Sequence, residues 1–219
     1  MIKVTNLKKS FGNLRVLDGI NFKVRKGELV TVLGPSGCGK TTLIRILADL
    51  LPYEEGNISI GEDVGIMFQE PRLLPWRTVK ENISLGLELQ DKQVSENVME
   101  KMLRLVDLYD FKDSYPFELS GGMKQRTALA RTLITEPKIL LMDEPLSSLD
   151  TITRKRLQDT ICEIHKKKKL TILFITHSIE EAIRLGNRII ILSQKPTKIS
   201  GIINNGNKAR RKIIQIMKS

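Results

Sequence analysis

The string Gly34-Pro35-Ser36-Gly37-Cys38-Gly39-Lys40-Thr41 is a complete G-x-x-x-x-G-K-[ST] set, and it constrains this chain more than any other feature. The run before it, LVTVL, is aliphatic or β-branched, as in a buried strand, and Leu43, Ile46 and Leu47 recur after it at helical spacing. Strand, glycine loop and helix N-terminus in that order make a phosphate cradle. The glycines let successive backbone N–H groups face one concavity, and the helix terminus adds partial positive charge. Lys40 is placed to reach the β and γ phosphates of a nucleotide, Thr41 to ligate Mg²⁺, and Thr42 follows in the first helical turn. Cys38 fills a free position of the motif and is assigned no chemistry of its own. A cradle of this kind serves kinases, GTPases and motors alike.

An acidic partner lies downstream. Ile-Leu-Leu-Met-Asp-Glu over residues 139–144 reads as a buried parallel strand that ends in two carboxylates, at the edge where open α/β sheets bind ligands. Side chains alternate along a strand, so the two acids take different tasks. Asp143 is assigned to hold Mg²⁺ and Glu144 to polarise the attacking water.

Short β-rich runs alternate with helical patterns, which predicts an α/β fold with a mostly parallel sheet. Strands are predicted near residues 2–6, 21–24, 28–33, 57–60, 64–68, 138–142, 170–175 and 188–192. Residues 79–135 show no strand pattern, and Val94, Val98, Met102, Leu105 and Val106 suggest one helical stripe. The division expected is an α/β nucleotide-binding core over 1–78 and 136–194, a helical subdomain over 79–135, and a basic C-terminal tail over 195–219 with a short helix at 209–217.

Charge supports this division. The chain has 36 Lys+Arg against 25 Asp+Glu, and nine of the basic residues, with no acid, fall after residue 181. The first 181 residues are thus near-neutral, which argues against a dedicated nucleic-acid binder. Two cysteines with no metal-ligand spacing predict neither a disulfide framework nor a zinc site. No apolar run approaches the roughly 18–20 residues that span a bilayer, and no secretory leader is expected. At 41% hydrophobic the chain can bury a sizeable core.

Residues 119–126 read LSGGMKQR, and here the sequence resembles the nucleotide-binding subunits of ABC transporters. Other elements of that family stand in order: Phe11 where the family stacks an aromatic on adenine, Gln69 at the Q-loop, Ser148-Leu149-Asp150 at the D-loop and His177 at the switch histidine. The stretches QEPRLLPWRTVKENI and YPFELSGGMKQRTALAR resemble the importer ATPases for aliphatic sulfonates, taurine and nitrate. The resemblance implies an ATPase that uses ATP and Mg²⁺, with Lys40, Glu144, His177 and Gln69 in hydrolysis and Thr41, Gln69 and Asp143 at the metal. It further implies that Ser120, Gly121, Gly122 and Asp150 complete the nucleotide site of a second, identical subunit. Ser120–Gly122 precede a helical pattern, so their amides form a second anion site. The partners implied are that subunit, an integral membrane permease, and indirectly an external solute-binding protein, with the chain peripheral on the cytoplasmic face of the membrane. Leu73, Leu74, Pro75 and Trp76 are placed by the resemblance against the permease, although Trp76 also reads as a core residue. The rival readings are a soluble ABC ATPase of DNA repair, ribosomes or cluster assembly, and an inactive binding module.

Overall fold

A computed structural model describes residues 1–218. In chain order it contains β1 (Ile2–Phe11), β2 (Leu14–Val24), β3 (Leu29–Leu33), α1 (Lys40–Leu47), β4 (Glu55–Ile60) and β5 (Val64–Met67). There follow α2 (Val79–Glu88), α3 (Glu96–Leu105), α4 (Gly121–Leu133), β6 (Ile139–Asp143) and α5 (Thr151–Lys168). The chain continues with β7 (Thr171–Thr176), α6 (Ile179–Leu185), β8 (Arg188–Leu192), β9 (Ile199–Asn204) and α7 (Ala209–Lys218).

Two sheets form. The larger has the order β5-β6-β7-β3-β8-β9, parallel except for β9, and the smaller is an antiparallel sheet of order β2-β1-β4. The parallel strands are buried on both faces, so alternate residues enter different cores. Leu140, Met142, Ile172 and Phe174 face a core shared with α2 to α5. Ile139, Leu141, Leu173 and Ile175 face the core shared with α1 and the antiparallel sheet. The fold is α/β, as the spacing predicts, with an antiparallel β arm and a helical segment between β5 and β6.

Three expectations are refined. The first two strands run longer, to Phe11 and from Leu14, because Gly12 at φ 56° makes the tight turn of a hairpin. Of the stripe expected around α3, Met102 and Val106 are buried and Val94 and Leu105 pack against the same core, while Val98 alone is exposed and Leu103 is buried in addition. Residues 195–218 are not a tail outside the core. β9 pairs antiparallel with β8 over Arg188–Leu192, and Ile213 of α7 is buried with Ile189, Ile191 and Ala182. Among the described residues no helix is long and apolar enough to cross a membrane.

Candidate functional site

Because β6, β7 and β3 are parallel neighbours, their C-terminal ends bring three distant segments to one edge. These are the glycine loop after Leu33, Asp143-Glu144 after Met142, and His177 after Thr176. Gly39 adopts φ 109°, and a Cβ there would lie 2.7 Å from Val16 Cγ1, so glycine alone lets the loop close against β2. Glu144 adopts φ 44°, uncommon for a residue with a side chain, and its N–H donates to Ile175 O at 3.1 Å. That kink ends the strand and carries the Glu144 carboxylate to the loop lysine.

Lys40 is 3% exposed, and its Nζ donates to Gly34 O at 3.0 Å and Pro35 O at 2.8 Å. It also pairs with Glu144 Oε1 at 3.1 Å. The other oxygen of Glu144 lies 2.7 Å from His177 Nδ1, which places the ring proton on Nδ1 when the carboxylate is ionised. Lys40, Glu144 and His177 thus form one chain of contacts across the mouth of the loop. Beside it, Thr41 Oγ1 donates to Asp143 Oδ1 at 3.2 Å. Burial pushes the Asp143 carboxyl pKa up, against the opposing effect of the Thr41 hydrogen bond. A buried carboxylate and a hydroxyl oxygen side by side are hard donors that fit Mg²⁺.

A cleft of about 330 Å³ opens over these groups, lined by Phe11, Leu14, Val16, Gly37, Gly39, Lys40, Thr41, Thr42, Glu144 and Lys195. Phe11 is half-exposed at its rim, with Lys9 Nζ 5.2 Å from the ring centroid. Gly34, Pro35 and Ser36 open the loop, the Cys38 amide donates to Pro35 O at 3.3 Å to close a turn, and Cys38 turns its thiol inward, where burial pushes its pKa up. A larger cavity of about 900 Å³, lined in part by Ile60, Pro137 and Leu170, lies at the opposite edge of the strands, away from this chemistry.

Four predicted site residues stand apart from the cleft. Ser120 caps α4, its Oγ accepting from the Met123 amide at 3.3 Å, with Gly121 beside it exposed. Gly122 is buried against Thr153, and Asp150 caps α5 by accepting from the Ile152 and Thr153 amides. Hydrogen bonds from Thr153 hold the Asp150 carboxyl below its usual range. The Gln69 side chain does not line the cleft either, although continuing the Met67–Met142 register would set Gln69 alongside Glu144. Trp76 is 70% exposed, so the reading of it as a core residue does not hold.

Sequence reasoning missed three residues here. Lys195 lines the cleft from a segment read as tail. Gln125 donates to Gln69 O at 2.5 Å, and Arg131 donates to Pro71 O at 2.6 Å and Arg72 O at 2.8 Å. Both sit on α4, but nothing in the sequence says that their partners are backbone carbonyls some 60 residues back.

The pattern that defines the family described as ABC transporter matches residues 17–147. An aliphatic sulfonates import ATP-binding protein of Bacillus cereus (strain ZK / E33L) is 50% identical over 205 residues, covering 90% of this chain and 81% of the relative. Its namesake in Bacillus subtilis (strain 168) is 45% identical over 192 residues, covering 84% and 75%. The dimeric structure of a bacterial ABC transporter cassette superposes with a TM-score of 0.83 at 29% identity, over 94% of this chain and all of that one. A post-hydrolysis state of such a cassette, bound to ADP and Pi, gives 0.82 at 28%, with the same coverage. This chain belongs to the ABC transporter family, as one of its ATP-binding, ATP-hydrolysing cassettes.

Proposed function

We propose that this cassette is the ATPase subunit of an importer for a small anionic solute of the sulfonate, taurine or nitrate class. Two identical copies dimerise around two MgATP on the cytoplasmic face of the membrane and drive a separate permease, which an external binding protein supplies with solute. Identity of 50% over most of the chain to a sulfonate import protein, and similarity to a dimeric cassette, support the reading.

The observation that carries the chemistry is the position of Glu144 between Lys40 and His177. Lys40 is held by two loop carbonyls and by Glu144. A triphosphate in the loop competes for the Lys40 ammonium and releases Glu144 Oε1, while His177 continues to orient the other oxygen. Glu144 then accepts the proton of the water that attacks the γ-phosphorus. The bond from that phosphorus to the bridging oxygen breaks, and ADP leaves with the electron pair. Thr41 and Asp143 would hold Mg²⁺, with Gln69 entering from the rim, and the ion would neutralise phosphate charge. The loop amides of 34–42 hold the phosphates and Phe11 stacks on adenine. Ser120, Gly121, Gly122 and Asp150 serve the nucleotide of the other copy.

The exposed Trp76, with Leu73, Leu74 and Pro75, is the surface offered to the permease. The test is co-purification from detergent-solubilised native membranes after a wash at roughly 0.5 M salt, which screens surface charge. Retention of a polytopic membrane protein is expected. Recovery with cytosolic partners alone would overturn the importer reading and move the chain to the soluble ABC ATPases.

A further inference from the structure

Of the lysines at the nucleotide cleft, two are matched from within the chain. Lys40 is held by Gly34 O, Pro35 O and Glu144. Lys9, beside the rim, lies 3.8 Å from Glu54 and over the Phe11 ring. Lys195 is different. It lines the cleft from the connection between β8 and β9, and among the described residues its ammonium has neither a hydrogen-bond acceptor nor a carboxylate. Glu144 is the one acid that lines the cleft, and both of its oxygens are already engaged, by Lys40 and by His177. The cation that balances nothing in the chain faces the space a nucleotide would fill.

The connection that carries Lys195 is fastened on both sides of it. The Ser193 amide donates to Lys198 O and the Lys198 amide to Ser193 Oγ, each at 2.9 Å. Thr197 is fully buried; its N–H donates to Val16 O at 2.9 Å, its carbonyl accepts from the Asp18 amide at 2.9 Å, and its hydroxyl donates to Cys38 O. Lys198 adds an ion pair to Asp18 at 3.1 Å. These bonds tie the connection to β2 and to the glycine loop, using residues 193, 197 and 198, and place no requirement on the side chain at 195. They also fix its position. Val16 and Gly39 touch at the floor of the cleft, with Phe11 to one side and Lys40, Thr41 and Glu144 to the other, so Lys195 stands beside the middle.

We propose that Lys195 is a nucleotide-binding residue that pairs with the α-phosphate. This rests on the reading that sets adenine on Phe11 and the β and γ phosphates at Lys40. Between those two ends a nucleotide carries one anionic group, its α-phosphate, and Lys195 is the unmatched cation beside that stretch. A lysine acts there as a point charge on a long stem and needs no bidentate geometry. The α-phosphate is the same before and after hydrolysis. The contact therefore strengthens binding of substrate and product alike and leaves the chemical step alone.

The test measures Lys195→Gln in the full chain, beside Lys195→Arg and Phe11→Ala. Lys195→Gln is expected to raise KM for ATP and Kd for ADP by one common factor, roughly three- to tenfold for a partly solvated charge-assisted contact, with kcat within about twofold. Competition by AMP, whose single phosphate is the α, should weaken by that same factor, and competition by adenosine should not change. Lys195→Arg keeps the charge and should bind within about twofold of the wild type. A loss for ATP alone would put Lys195 at the γ-phosphate, an equal loss for adenosine would put it at the base or ribose, and no loss would leave it solvated; each of these overturns the proposal. Phe11→Ala should weaken ATP and adenosine alike. A Phe11→Ala chain with wild-type affinity for both overturns the placing of the nucleotide itself, which is a separate failure from that of Lys195.

Discussion

The chain carries two loops of opposite character, the glycine loop over 34–41 and the signature loop over 119–122. The glycine loop is closed on itself, with Lys40 buried and already matched by Glu144, and Asp143 and Thr41 alongside. The signature loop is open. Ser120 and Gly121 are exposed, the first amides of α4 have no intrahelical acceptor, and the Ser120 hydroxyl satisfies only that of Met123. One loop holds the groups that handle protons and charge, and the other offers amides and a helix N-terminus. On the dimer proposed above, neither is a whole site: the second loop would complete a nucleotide site by meeting the first loop of another copy.

The largest expected effect falls on the closed loop. Glu144→Gln should lower kcat roughly 10²- to 10⁴-fold, the range for loss of a general base, while ATP binding persists. Stopped turnover with lost binding would mean instead that Glu144 matters for the loop's shape. Next come the two glycines of the open loop, which should part company. Gly122→Ala drives a methyl into Thr153 and is expected to cost about 1–3 kcal/mol in urea unfolding, with Thr153→Ser restoring most of it. Gly121→Ala meets nothing within 4 Å and should change stability by no more than about 0.5 kcal/mol, yet it should slow turnover if its amide faces a partner's nucleotide. Equal stability losses at both positions would contradict the open geometry.

The subtlest effect is on pH. Burial raises the Asp143 pKa above its ordinary 3.8, so folding favours the protonated form. The sign follows: this contribution is fully present below pH 3.8 and is lost as pH rises through the raised value. Asp143→Asn, which can still accept from Thr41, should therefore flatten the fall of the nucleotide-free thermal midpoint as pH rises above 3.8. A lower midpoint with the same slope would show that the carboxylate already has its counter-charge within the chain.

The closed loop was legible because its parts are contiguous. Strand, glycines, Lys40 and Thr41 lie in one short stretch, and Asp143-Glu144 ends an unmistakably buried strand. Strand direction then fixes where these ends meet. The open loop was legible only through family resemblance, since Ser-Gly-Gly before a helix is also an ordinary cap. Neither route revealed the Glu144 kink, because a positive φ leaves no mark on the sequence at a glutamate. β9 went unseen because its alternation, with Ile199, Gly201 and Ile203 half-buried, is weak and sits among basic residues. Lys195 was lost with it, and the carbonyl grip of Gln125 and Arg131 depends on contacts across some 60 residues.

The central claim is that a working site needs two copies, and the mass of Glu144→Gln in solution tests it most directly. Light scattering with and without MgATP is expected to show the 24.9 kDa chain alone becoming a species of twice that mass that retains two nucleotides. A 24.9 kDa species that binds ATP tightly and stays single would contradict the account.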